Sequence, residues 1–228
     1  MIKIENITIH GIDEAMRGMR NPKNSWAKAD TINEQIGPND LKLAETLASA
    51  GPVHGKYRRM ITVYMDITAP LYWWKEFDTY KVGTVADSCS TMHKIADKEF
   101  ELSDFSYEQL GSSSDFENRD MASPEIYIDG VEFSPYDIFD NVINMLNECR
   151  DLYLLTKDKV YWWQMIQLLP SSYNQKRTVM MNYEVLNNIY TYRKDHKLDE
   201  WRSFCKTIET LPYFNEIIMP NKEDNQNG

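Results

Sequence analysis

The stretch KYRRMITVYMDI, residues 56–67, limits the possible folds more than any other part of the chain. Its apolar residues Ile61, Val63, Met65 and Ile67 occupy alternate positions, the period of a strand with one face in a core. Ala69 and Pro70 follow at once, and proline near a first turn opens a helix, here through LYWWKEFDTYK to about Lys81. A strand that feeds directly into a helix calls for a sheet covered by helices rather than a plain bundle.

The rest of the chain agrees. IKIENITIH alternates and predicts a strand. In PNDLKLAETLASAG (38–51), Asn39 or Asp40 can cap a helix with Leu41, Leu43, Leu47 and Ala48 on its apolar face and Gly51 as its stop. Residues 101–124 are acidic and Ser-rich, a pattern for a surface loop. EIYIDGVEFSPYD predicts a hairpin turning on Asp129-Gly130. SPYDIFDNVINMLNECRDLYLLT (134–156) is a long amphipathic helix with Ile138, Val142, Met145, Leu146 and Cys149 as its apolar residues. A second helix, KDKVYWWQMIQLL, ends near Pro170. TVMMNYEVLNNIYTYR passes from strand to helix, and LDEWRSFCKTIETL (198–211) forms a last helix. With no repeats or linkers, the expected class is α/β (α+β): one domain over residues 1–218, with a mixed or antiparallel sheet flanked by long helices. Residues 219–228 form a polar tail.

Charge and cysteine usage narrow the function. A formal charge of −10, from 25 basic against 35 acidic residues, argues against a nucleic-acid partner. A small anionic ligand stays possible, because a few local cations outweigh the global sign. Cys89, Cys149 and Cys205 are widely spaced, which predicts neither a disulfide framework nor a metal site. The start lacks the pattern of a signal peptide, and no run of about 18 apolar residues occurs. No membrane association is expected, and the expected location is cytoplasmic.

Two blocks carry a family resemblance. In ITVYMDITAPLYWWKEFDTYKVGTVADSCS, a strand leads into an Ala-Pro helix start and then a polar loop. In LLPSSYNQKRTVMMNYEVLNNIYTYRKDHKLDEWRSF (168–204), Leu169-Pro170, Asn182, Leu186, Asn188, Arg193 and Trp201 recur in a set order. Together they resemble the flavin-dependent thymidylate synthases, whose signature runs R-Q-x-x-R-H-R-x-x-S/N-x-N-E-x-S. Lys75 and Glu76 stand at its leading Arg-Gln, Thr79-Tyr80-Lys81 at Arg-His-Arg, Asp87 at the Glu and Cys89 at the last Ser. His54 precedes Tyr80 by the interval that separates the family's flavin-contacting His from its central His.

The resemblance implies a homotetramer with FAD and dUMP in active sites shared between subunits. It implies methylenetetrahydrofolate as carbon donor, NADPH as reductant and dTMP as product. His54, Tyr80, Lys81, Asn182 and Asn188 would then contact the flavin. Glu76, Asp87, Ser88, Cys89, Ser90 and Arg193 would contact the nucleotide, with Arg193 also easing negative charge on the pyrimidine during catalysis. Plainer readings stand beside these: an Asn after a strand is commonly a helix cap, Arg193 can be a solvated helix end, His54 a loop residue and Cys89 an inert thiol.

Several family cations are replaced. Arg-His-Arg keeps one point charge at Lys81, Asn-Ala-Arg becomes Asn182-Tyr183-Glu184, and Met165-Ile166 stand ahead of Leu169-Pro170 where the family carries Ala-Arg. Lys56, Arg58, Arg59, Lys75 and Arg177 are the candidate replacements. Two readings follow: a divergent enzyme of this type, or a catalytically silent homologue that keeps a nucleotide or flavin pocket.

Overall fold

A computed structural model describes residues 2–111 and 124–220. Residues 112–123 of the segment expected as a surface loop, and residues 221–228 of the expected tail, lie outside the described residues. By contacts the chain separates into two compact units.

The larger unit comprises residues 2–68, 75–88 and those from 176 onward. Strand β1 (Lys3–His10) pairs antiparallel with β2 (Thr62–Pro70), in a register that sets Ile9 against Val63 and Glu5 against Asp66. The sheet order is β1-β2-β6-β3, where β6 is Asn174–Asn182 and β3 is Val85–Ser88, paired antiparallel. Val63, Met65 and Ile67 are completely buried, as their alternation requires, and Val179 and Met181 repeat the pattern on β6. The strand starts later than the sequence suggests: Gly55–Met60 form a short 3-10 segment that packs on α7 (Tyr183–Arg193). Ala69 and Pro70 end β2, so helix α3 is only Leu71–Phe77.

Helix α1 (Ile12–Met19) has Ile12, Ala15, Met16 and Met19 on one face, all buried. Helix α2 (Pro38–Ser49) buries Ala44 and Ala48 and leaves its leucines only partly covered. Its N-cap is Gly37 rather than Asn39 or Asp40. Asp40 instead turns inward, where its carboxylate takes Arg20 Nε at 2.5 Å and the amides of Asp30 and Thr31. A buried carboxylate with this many donors is worth more to the fold than a solvated cap. Helix α8 (Asp199–Glu209) supplies Trp201, Phe204, Cys205 and Ile208 to the same core.

The smaller unit holds residues 69–74 and 89–175. Its frame is a helical hairpin of α5 (Pro135–Thr156) and α6 (Lys159–Leu168), with α4 (Thr91–Lys94) beside it. A reciprocal capping box joins Ser134 and Asp137 at the start of α5, and Asp158 caps α6. Strands β4 (Ile126–Ile128) and β5 (Val131–Phe133) turn on Asp129 and Gly130, both at positive φ, as expected. The core gathers Ile95, Phe100, Phe105, Ile143, Leu146 and Met165. Of the apolar α5 residues expected on one face, Leu146 and Cys149 are buried, whereas Ile138 and Met145 are exposed.

Candidate functional site

Within the larger unit, four elements bring polar side chains together around one carboxylate. Glu76 sits in the last turn of α3, Tyr80 just beyond it, Arg193 ends α7, and Trp201 lies in the first turn of α8. Arg193 Nη1 donates to Glu76 Oε2 at 2.9 Å, and its Nε donates to the Tyr80 hydroxyl at 3.0 Å. The Trp201 indole N–H donates to the same Glu76 oxygen at 2.9 Å. The guanidinium carbon lies over the Trp201 ring, 4.8 Å from its centre, within cation–π range.

This arrangement is held from below. Trp201 is fully buried and runs nearly parallel to Phe77, while Phe204 meets both rings edge-on. The indole N–H therefore cannot turn to solvent, and Glu76 satisfies it. His196 Nδ1 accepts the amide of Leu198 at 3.2 Å, which assigns the ring hydrogen to Nε2, 3.6 Å from Glu76 Oε2. Arg193 is thus a fixed guanidinium rather than the solvated helix end its sequence context allows.

The other sequence-derived candidates lie outside this hydrogen-bonded group. Asn182 is the N-cap of α7: its Oδ1 accepts the Val185 amide at 3.0 Å, the plainer of the two readings. Its amide nitrogen abuts Gly83, where a Cβ would come to 2.6 Å at a φ of +77°. That approach requires the glycine on both counts. Asn188, Lys81 and His54 are exposed. Asp87 and Ser88 lie on the edge strand β3 opposite Thr178 and Arg177. Cys89 and Ser90 belong to the smaller unit, where Ser90 caps α4 by accepting the His93 amide and the Cys89 carbonyl accepts from Gln175.

Two candidate replacement cations are committed elsewhere. Arg58 is buried and pairs with buried Glu184 at 2.6 Å, which explains how the acid following Asn182-Tyr183 is tolerated. Arg177 pairs with Asp78 at 2.7 Å. Lys56, Arg59 and Lys75 stay exposed. Sequence reading missed Trp201 as a site component, His196 and the Arg58–Glu184 pair. The only local signal for the first was an aromatic one residue from the family position.

For a flavin, the larger unit offers exposed Lys81, the Asn188 amide and the Asn182 amide nitrogen that the cap leaves unused. Such donors suit the acceptor-rich edge and the phosphates of that group. Among the described residues no group of His, Cys, Asp or Glu side chains could hold a metal ion.

No family model and no curated protein matches the sequence. Solved structures do match. Thymidylate synthase X from Helicobacter pylori, solved with FAD and dUMP, superposes with a TM-score of 0.62 at 17% identity over 96% of both chains. A UMP/dUMP methylase, PolB from Streptomyces cacaoi bound with 5-Br dUMP, superposes with a TM-score of 0.58 at 12% identity, over 96% of this chain and 93% of that one. The chain has the fold of the flavin-dependent thymidylate synthases.

Proposed function

We propose that the protein binds a pyrimidine nucleotide, dUMP or a close relative, beside FAD and methylates its C5 position. The observation that carries this reading is the guanidinium of Arg193, set over a buried indole and fixed by Glu76 and Tyr80, in a fold whose solved representatives include one holding dUMP and one holding 5-Br dUMP. A positioned donor that cannot swing away stabilises developing charge without reorganisation. Glu76, Asp87 and Ser88 are the further nucleotide contacts within this unit, and Cys89 and Ser90, the remaining residues that the resemblance implies, follow β3 in the chain. His54, Tyr80, Lys81, Asn182 and Asn188 would hold the flavin. Bound FAD supplies the redox chemistry, with methylenetetrahydrofolate as carbon donor and NADPH as reductant. The chain's own groups bind, orient and polarise the ring.

Assembly into the proposed homotetramer has support in the smaller unit. Ile138, Met145 and Leu152 recur every seventh residue along α5 and are exposed, as is Leu155. An apolar row of that kind is costly in water and marks a protein contact.

The test is spectroscopic and then kinetic. Full-length protein supplemented with FAD is expected to retain flavin absorbance after gel filtration and to oxidise NADPH only with dUMP and the folate present. A colourless protein that takes up no FAD would overturn the enzyme reading. The catalytically silent reading is favoured by one observation, the consumption of Arg58 and Arg177 in internal pairs. It predicts nucleotide binding without NADPH oxidation.

A further inference from the structure

We infer that Glu76 and Arg193 act together as a reader of a neutral ring edge, with Glu76 the residue that demands an N–H donor on the ligand. The inference rests on the nucleotide reading above and assigns the specificity of that site. It follows from three features of the pair.

The first is charge. Arg193 is already paired with a carboxylate at 2.9 Å, so the two groups are neutral in sum. A pair of this kind is a poor partner for a phosphate, which would have to displace Glu76 and leave the buried Trp201 N–H unmet. The phosphate of a bound nucleotide therefore lies elsewhere.

The second is unused bonding capacity. Arg193 spends Nε on Tyr80 and Nη1 on Glu76, while Glu76 spends Oε2 on both Arg193 and Trp201. Among the described residues, Arg193 Nη2 and Glu76 Oε1 have no hydrogen-bond partner. A donor and an acceptor are thus left on adjoining groups. Their complement is a ring edge that sets an acceptor beside an N–H, as the carbonyl and N3–H of uracil do.

The third is access with rigidity. The Glu76 and Arg193 side chains are 37% and 20% exposed, so a ligand can reach them, yet their inner atoms are pinned to a fully buried tryptophan. Donors and acceptors fixed in advance discriminate more sharply than mobile ones.

A carboxylate at neutral pH accepts hydrogen bonds and cannot donate one. A ligand methylated at N3 leaves Oε1 desolvated against a methyl group. Glu76→Gln keeps the shape and can still accept from Trp201 and Arg193 through its amide oxygen. It then turns its NH2 toward the ligand, donor against donor.

The experiment is calorimetric titration of the full chain, with FAD present, using dUMP and N3-methyl-dUMP against the wild type and Glu76→Gln. Wild type is expected to favour dUMP by about 10–100-fold, and the variant to lose that preference. A merely structural role for Glu76 would weaken both ligands alike and leave their ratio intact, and that result overturns the inference. Equal binding of the two ligands by wild type also overturns it, while the nucleotide reading stands. If wild type binds neither ligand, the nucleotide reading and this inference fail together.

Discussion

The larger unit contains two arginine–glutamate pairs of the same chemistry and different character. Arg58 and Glu184 meet at 2.6 Å with both side chains buried, and Arg58 Nη1 also reaches the Ile217 carbonyl at 3.4 Å. Arg193 and Glu76 meet at 2.9 Å with both side chains partly exposed, on an aromatic base, with one donor and one acceptor to spare. The first pair resolves an internal charge and presents nothing outward. The second is fixed from inside and open outside. Residue identity alone does not separate a structural ion pair from a recognition site; burial and leftover hydrogen-bonding capacity do.

The largest expected effect breaks the buried pair. Arg58→Ala leaves the Glu184 charge uncompensated and is expected to cost about 3–5 kcal/mol in urea unfolding. The double replacement Arg58→Met with Glu184→Leu is expected to recover most of that loss. A double variant as unstable as the single one would show that the arginine acts through packing rather than charge.

Next comes the open pair. Arg193→Ala is expected to weaken dUMP binding by about 100-fold, as the loss of charge-assisted bonds implies. Its unfolding midpoint should move far less than that of Arg58→Ala. The opposite ranking would make Arg193 structural and dissolve the contrast.

A smaller effect tests the cap between them. Asn182→Ala removes the acceptor for the Val185 amide and is expected to cost about 1 kcal/mol. FAD retention by this variant, compared with a variant of equal stability elsewhere, separates capping from flavin contact.

The smallest effect concerns a third carboxylate, on the outer face of the sheet. Hydrogen bonds from Thr178 and Asn6, with the Lys176 ammonium alongside, hold the Asp66 carboxyl at about 2 rather than the ordinary 3.8. A carboxyl more acidic when folded stabilises above its unfolded value and loses that contribution as pH falls from about 4 toward 2. The difference in urea midpoint between wild type and Asp66→Asn should therefore shrink across that window. A difference that stays constant would mean that the bonds to Asp66 do not favour its charged form.

The parts legible in the sequence share one property: their signal is local. The alternation of Ile61, Val63, Met65 and Ile67, the helical spacing over residues 134–156 and the Asp129-Gly130 turn each rest on neighbours within a few residues, and the structure contains all three. Helix α1 carries a local signal of the same kind, since Ile12, Ala15, Met16 and Met19 follow helical spacing. Strand β3 was not. An edge strand exposed on both faces has no apolar alternation, and Val85–Ser88 therefore reads as a polar loop.

What the sequence determined by itself was most of the regular elements, the buried face of the central strand and two ordered blocks whose residues pointed to a flavin-dependent thymidylate synthase fold. What only the tertiary structure decided was the use of each charge. Glu76 meets Arg193 and Trp201 across separations of 117 and 125 residues, whereas Arg58, an equally plausible cation in the sequence, turns inward to Glu184. Such choices are set by which side chains lose water together when the elements pack, and no local pattern carries that information.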